Sequence, residues 1–183
     1  MHMIHAVGVL SILALCYLLV GPGYIPIFPH AALLYPDSAE EAADVGNGRT
    51  NELDDLFHLT DKSISPGFSD ILTETQDQIN SVANRVTPIV TILKVFINRP
   101  RPYQVSETVR GAKLASTTAH TPAFPSGHST QAHVVAKHYS RKYPDKKEEL
   151  YERAELIGQS RISAGLHYPS DHEMAKRIVE YFF

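Results

Sequence analysis

Residues 125–139 read PSGHSTQAHVVAKHY. Ala132, Val135, Ala136 and Tyr139 recur at i, i+3, i+4 and i+7, the spacing that gathers apolar side chains on one face of a helix. Ser126 stands where an N-cap belongs, with Gly127 and His128 on the first turn. The stretch therefore predicts a helix whose first turn offers free backbone N–H groups and a partial positive charge. Gly127 lets an oxyanion come close to that backbone. Read alone, Ser-Gly before a helix is common and is better explained by ordinary capping.

The helical period continues on both sides. Segments 51–60 (NELDDLFHLT) and 69–82 (SDILTETQDQINSV) have polar starts and apolar residues at helical spacing. Thr87-Pro88 opens a third segment with proline at a tolerated first-turn position. Pro144 separates 127–143 from 145–163, which starts on the capping-box-like pair Asp145 and Glu148, and a last segment covers 172–183. Strand-like alternation is absent, so the sequence predicts an all-α single compact bundle of about six helices. Residues 21–51 are rich in Pro, Gly and small residues and read as an irregular lead-in with one short helix around 38–44.

With 183 residues, 43% of them hydrophobic, the chain buries a core as one domain, which excludes a disordered tail protein. Its formal charge of -3 lacks the positive footprint of a nucleic-acid binder, so no nucleic-acid partner is expected. Cys16 is the only cysteine, which forbids an intrachain disulfide and a Cys-rich zinc module. Residues 6–20 (AVGVLSILALCYLLV) carry no charge, and their length suits a signal peptide better than a full span of about 20 residues. Residues 1–23 are thus expected to be an export signal or an uncleaved anchor, with a buried core helix as the third reading. Residues 24–183 are then the working domain, exported (periplasmic, secreted or lumenal) or anchored, with membrane contact through 6–20. No later stretch is apolar and long enough to span a membrane.

Three groups of residues carry candidate chemistry. Lys94 is the single charge in 86–97 (VTPIVTILKVFI), and a buried ammonium needs an anion. Pro100 and Pro102 hold Arg101 extended just beyond that helix, where it can converge with Lys94. A snorkelling lysine and an exposed loop arginine are the bland alternative. Leu150, Ala154 and Ile157 form an inward stripe whose next member is Arg161. His167 and Asp171 lie four apart, so the carboxylate can accept from one ring nitrogen and leave the other free as a nucleophile. Such pairs also occur in ordinary cores. His120, His133, His138 and His172 are read as surface residues or as supports behind the site.

Three cations, a helix N-terminus and two histidines are together what a phosphoryl-transfer site without metal needs. Lys94-x6-Arg101-Pro102, Pro125-Ser126-Gly127-His128 and Ser160-Arg161-x5-His167-x3-Asp171 resemble the complete three-part signature of the type 2 phosphatidic acid phosphatase (PAP2) superfamily. That superfamily contains the bacterial class A nonspecific acid phosphatases, the lipid phosphate phosphatases and the vanadium-dependent haloperoxidases. The resemblance covers roughly residues 88–171, while the first fifty residues match nothing named.

The resemblance implies that His167 attacks phosphorus to give a phosphohistidine and that Asp171 orients it. His128 would protonate the leaving oxygen and then activate water. Lys94, Arg101, Arg161, the Ser126 hydroxyl and the Gly127 N–H would bind the phosphoryl oxygens, with no metal and no cofactor. Vanadate is expected as an inhibitor, and a small phosphorylated substrate, lipid phosphates included, as the partner. The chain ends twelve residues after Asp171, so the last helix is expected to complete the bundle without a longer tail. The lack of further spanning segments also departs from the integral-membrane lipid phosphatases. Both departures favour a compact soluble or singly anchored enzyme, and the resemblance is closest in kind to the class A acid phosphatases. Vanadate-dependent halide oxidation, with vanadate as cofactor on the same residues, is the rival within the fold, and chain length argues against it. A silent anchored helical module is the third reading, disfavoured because buried Lys94 and Arg161 are costly without a ligand. Selectivity falls to segments 21–51 and 103–124, and nothing in the sequence bears on oligomeric state.

Overall fold

In the computed structural model, which describes residues 34–183, every regular element is helical, and no strand occurs among the described residues. The Asp37 carboxylate accepts the N–H groups of Ala39 and Glu40 and opens α1, Ser38–Asn47. α2 (Asp54–Thr60) follows, and α3 (Gln76–Ala83) begins on a capping box in which Thr75 takes the N–H of Gln78 and the Gln78 side chain takes that of Thr75. α4 (Thr87–Ile97) starts on Pro88, and two short helices not foreseen from sequence, α5 (Pro102–Val105) and α6 (Glu107–Ala112), lead to α7 (Gly127–Lys142). α8 (Lys147–Ser163) and α9 (Pro169–Phe182) complete the chain.

All six predicted helices are present, with four corrected starts. The segment expected to be helical from residue 51 is a turn up to Leu53, closed by Asp54 N–H on Asn51 O, and α2 begins at Asp54. The segment expected to be helical from Ser69 is turn until the Thr75 cap, because Ile71 and Leu72 are buried in that turn instead of lying on a helical stripe. Asp145 does not cap α8: Pro144 draws Pro144–Lys146 into a 3₁₀ turn first. α9 begins at Pro169, whose fixed φ suits a first helical position, so Asp171 lies inside its first turn and not ahead of it.

α7 runs through the middle of the bundle, packed on by α3, α8 and α9. It is buried on several faces through Ala132, Val134, Val135, Ala136 and Tyr139, and the small Ala132 and Ala136 let its neighbours close in. Leu150, Ala154 and Ile157, the predicted inward stripe of α8, meet Phe68, Ile79, Val82 and Val86 in the largest core cluster. The expectations for residues 1–33, including the apolar segment 6–20 and the boundary at 23, lie outside the described residues. No helix of the described residues is long and apolar enough to cross a membrane.

At Gly158 of α8 the approach of α9 leaves no room for a side chain: a Cβ would overlap the His172 ring and lie 3.0 Å from Ser129 Oγ. Alanine favours an exposed helix interior over glycine by about 1 kcal/mol. Overpacking a core costs about 1–3 kcal/mol, and the His172 ring is fixed by hydrogen bonds on both nitrogens. Gly158→Ala is therefore expected to lower the urea unfolding midpoint, and a raised midpoint would show that the ring yields.

Candidate active site

Lys94 sits on the last turn of α4 and points inward, 6% exposed. Sequence reasoning asks for an anion beside it. The structure supplies carbonyl oxygens instead, with Nζ donating to Pro122 O at 2.5 Å and Ala123 O at 3.2 Å. Asn98, at φ 48, ends α4 in the left-handed conformation that asparagine tolerates better than most residues. The chain then extends through Arg101 (φ -78, ψ 156), as the following proline requires. Arg101 is buried, its Nε donating to Thr121 O at 2.8 Å. Its Nη1 reaches Leu166 O at 2.8 Å and His167 Nε2 at 3.2 Å.

At the head of α7 the Ser126 hydroxyl caps as predicted, accepting the Ser129 N–H at 3.4 Å and the Ser129 Oγ–H at 2.9 Å. Ser126 N–H donates to Asp171 O at 3.1 Å, which ties this helix start to α9. At the far end of α8, Gly165 takes φ 74, Leu166 N–H returns to Arg161 O, and Gly165 N–H returns to Ile162 O. This is a Schellman closure. It sets His167 in the short turn before α9.

The His167 tautomer follows from its partners. Asp171 Oδ2 lies 3.1 Å from Nδ1 and also accepts Tyr168 N–H at 3.0 Å, so Nδ1 carries the proton. Nε2 then presents its lone pair, which takes the Arg101 N–H. Burial, followed by Arg101, Lys94 and Arg161, holds His167 well below the ordinary histidine value, so the ring is neutral near pH 7. Behind it Arg99, not singled out from sequence, donates to Asp171 Oδ1 at 2.8 Å and to Glu41 Oε2 at 2.6 Å, its guanidinium between the Tyr35 and Tyr168 rings.

Arg161 turns inward as its stripe predicts, and it finds a partner that sequence reasoning missed. Its Nη1 donates to Asp61 Oδ1 at 2.9 Å, its Nη2 reaches Ser116 Oγ at 3.3 Å, and the guanidinium lies over Phe57. Its buried Nε has no hydrogen-bond partner among the described residues. Burial works against the Asp61 charge, but hydrogen bonds from Ser116, the Thr117 N–H and Arg161 outweigh it and hold the carboxyl far below its usual value. The Asp61 carbonyl accepts from His128 Nε2 at 2.9 Å, which leaves His128 Nδ1 as the basic atom. Burial, then Arg161, pushes His128 down to about 3.

Lys94, Arg101, Gly127, His128, Arg161 and His167 line one cavity of about 410 Å³, whose lining also includes the exposed Asn84 and Thr87 and the half-buried Asn80 and Gln131. Ser126 and Asp171 stand behind its wall, fully buried. Of the remaining histidines, His120 is exposed and His138 half-buried, whereas His133 and His172 are buried and not at the surface. Among the described residues no group of three or more His, Cys, Asp or Glu ligands converges on this cavity.

A family model described as the PAP2 superfamily matches residues 79–175, just over half of the chain. None of the curated proteins compared with the chain matches it.

A carboxyl depressed in the folded state stabilises the fold above its unfolded value near 3.9 and loses that contribution as pH falls toward the folded value. Asp61 is such a group. Acid unfolding is expected to steepen below about pH 4. Asp61→Asn should lower stability at pH 7 by about 2 kcal/mol, the scale of hydrogen bonds to a charged group, and flatten the acid slope. Urea titrations between pH 2 and 7 measure both, and an unchanged slope would assign the acid sensitivity elsewhere.

Proposed function

The chain belongs to the PAP2 superfamily, a membership that supports phosphatase-type activity, and on that premise we propose that it hydrolyses small phosphate monoesters through a phosphohistidine. One observation carries the reading: a neutral His167, its Nδ1–H held by Asp171, presents the Nε2 lone pair inside a ring of three buried cations. The Nε2 lone pair attacks phosphorus as the ester P–O bond opposite breaks, and the departing oxygen takes a proton from His128. Water then attacks the phosphohistidine and gives a proton to His128. The N–P bond breaks, its electron pair returns to Nε2, and inorganic phosphate leaves. Asp171 keeps the Nδ1 proton throughout and balances the positive ring of the intermediate.

Arg101, Lys94 and Arg161 bind the nonbridging oxygens, with the free Nε of Arg161 and the Gly127 N–H as unspent donors. Ser126 Oγ, behind the wall, accepts from Ser129 and so holds the head of α7 that presents the Gly127 N–H. In the absence of an anion, burial and then Arg101 drive Lys94 well below its ordinary value. A phosphoryl dianion opposes both this shift and that of His128, so bound substrate favours the charged lysine and the protonated acid. No metal takes part in these steps. The polar side chains of Asn80, Asn84 and Gln131 in the lining support small hydrophilic esters, in the manner of the class A acid phosphatases, over lipid phosphates. The reading also includes residues 6–20 as the segment that exports or anchors the enzyme.

Turnover of an aryl phosphate is expected to persist in strong chelator below the unfolding temperature and to stop with vanadate. Vanadate with peroxide and halide should give no halide oxidation, and the reverse pattern would identify a haloperoxidase.

The two histidines separate by leaving group, since every substrate needs the nucleophile while a general acid matters most for a basic departing oxygen. His167→Ala should abolish turnover of all esters. His128→Ala should lose about 10²- to 10⁴-fold on alkyl phosphates and markedly less on an activated aryl phosphate. Its phosphohistidine should accumulate, because water loses its base. Equal losses across leaving groups, or a trapped phosphate on His128, would falsify these roles.

A further inference from the structure

His133 of α7, Glu155 of α8 and His172 of α9 converge in a second cluster, apart from the catalytic cavity. Both imidazoles are buried, and the half-exposed Glu155 carboxylate and His133 line a separate cavity of about 360 Å³. Ser129 orients both rings. Its backbone carbonyl, which only accepts, lies 2.8 Å from His133 Nδ1, so that nitrogen carries the proton and Nε2 carries the lone pair. Its hydroxyl proton goes to Ser126 Oγ, so at 3.0 Å it receives the Nδ1–H of His172. In the neutral ring His172 Nε2 is then a second bare lone pair, yet it lies 2.9 Å from Glu155 Oε1. That contact is met either by an Nε2–H donated to Glu155, with the Ser129 hydroxyl turned to Nδ1, or by a cation shared between the two groups.

A proton on His172 would satisfy that one contact, but it leaves His133 unexplained. His133 Nε2 faces the other carboxylate oxygen at 3.8 Å, too far for a hydrogen bond. Bonds of about 2.1 Å to one tetrahedral ion set ligand atoms about 3.4 Å apart. The observed 2.9 and 3.8 Å bracket that spacing, and one atom from each of the three side chains falls within 4.8 Å of the others. An imidazole whose second nitrogen donates to a carbonyl or hydroxyl is also the usual support of a metal-bound histidine.

We propose that His133 Nε2, His172 Nε2 and the Glu155 carboxylate bind a divalent first-row metal ion, with Zn²⁺ the best match to two imidazoles and a carboxylate. The fourth position opens into the adjoining cavity. Gln159 Nε2 steadies Glu155 Oε1 at 3.0 Å. Lys176, 3.5 Å from Glu155 Oε2, gives up that contact on metal binding and keeps its pair with Glu173. Lys137, which also lines the cavity, is already tied to the carbonyls of Val179 and Glu180. The ion ties together the three helices that carry His128, Arg161 and Asp171, through a serine in contact with Ser126.

The test is calorimetric titration of the chelator-stripped full chain with Zn²⁺, beside His133→Ala, Glu155→Gln and His172→Ala, with thermal melts of each. One Zn²⁺ per chain is expected, with a raised melting temperature and binding at least 10-fold weaker in every folded variant. Glu155→Gln preserves shape at a half-exposed position, so it decides the matter even where His172→Ala fails to fold. No stoichiometric binding to the wild-type chain, or binding unchanged by Glu155→Gln and His133→Ala, overturns the proposal.

Discussion

Three cations buried side by side with only one carboxylate among them is the constraint around which this fold is arranged. Lys94 and Arg101 are held by the carbonyl oxygens of Thr121, Pro122, Ala123 and Leu166, and Arg161 alone has a carboxylate, Asp61. Carbonyl dipoles lower the cost of burying a charge without neutralising it. A full complement of aspartates would leave nothing for an incoming oxyanion to gain. Arg99, two residues from Arg101, shows the contrast: with two carboxylates, Ser38, Ser170 and two tyrosine rings as partners, it is saturated. Two arginines flanking one proline are thus sorted by their partners, Arg99 to the scaffold and Arg101 to the cavity.

The carbonyls come at a structural cost, because irregular backbone must be held rigid enough to aim them. Backbone bonds between the motifs do this. Ala123 N–H reaches Arg99 O, and Ser126 N–H reaches Asp171 O, so the segment before α7 is fixed to the end of α4 on one side and the start of α9 on the other. The Schellman turn at Gly165 then places His167 where Arg101 meets its Nε2, at an angle set by Asp171.

What was legible in the sequence follows the range of each interaction. The Ser126 cap, the extended Arg101 and the inward Arg161 are dictated by neighbours within a few residues, and they stand as read. Asp61 pairs with Arg161 across 100 residues and Arg99 with Asp171 across 72, and nothing in the period or composition of residues 51–61 or 98–102 marks either contact. The misjudged start of α3 has the same origin. Buried Ile71 and Leu72 imitate a helical stripe, while the Thr75 and Gln78 box that actually begins the helix lies farther along. The histidines divide in the same way, since His167 meets its carboxylate four residues on, as read, whereas the partners of His128 and His172 lie 67 and 43 residues away.

Those partners also explain why two chemically identical rings take opposite parts. Asp171, acceptor only, claims Nδ1 of His167 and exposes Nε2, whereas the Asp61 carbonyl, acceptor only, claims Nε2 of His128 and leaves Nδ1 basic. The proposed nucleophile is backed by a carboxylate, which balances a ring that becomes positive once phosphorylated. The proposed acid and base is backed by a neutral carbonyl, which lets its proton come and go at smaller electrostatic penalty. Because the Asp61 side chain also holds Arg161, one residue couples the orientation of the proposed proton carrier to the position of a proposed phosphate-binding cation. A site assembled from three separated motifs therefore depends on a fourth segment, the end of α2 and its following turn, that none of the motifs contains.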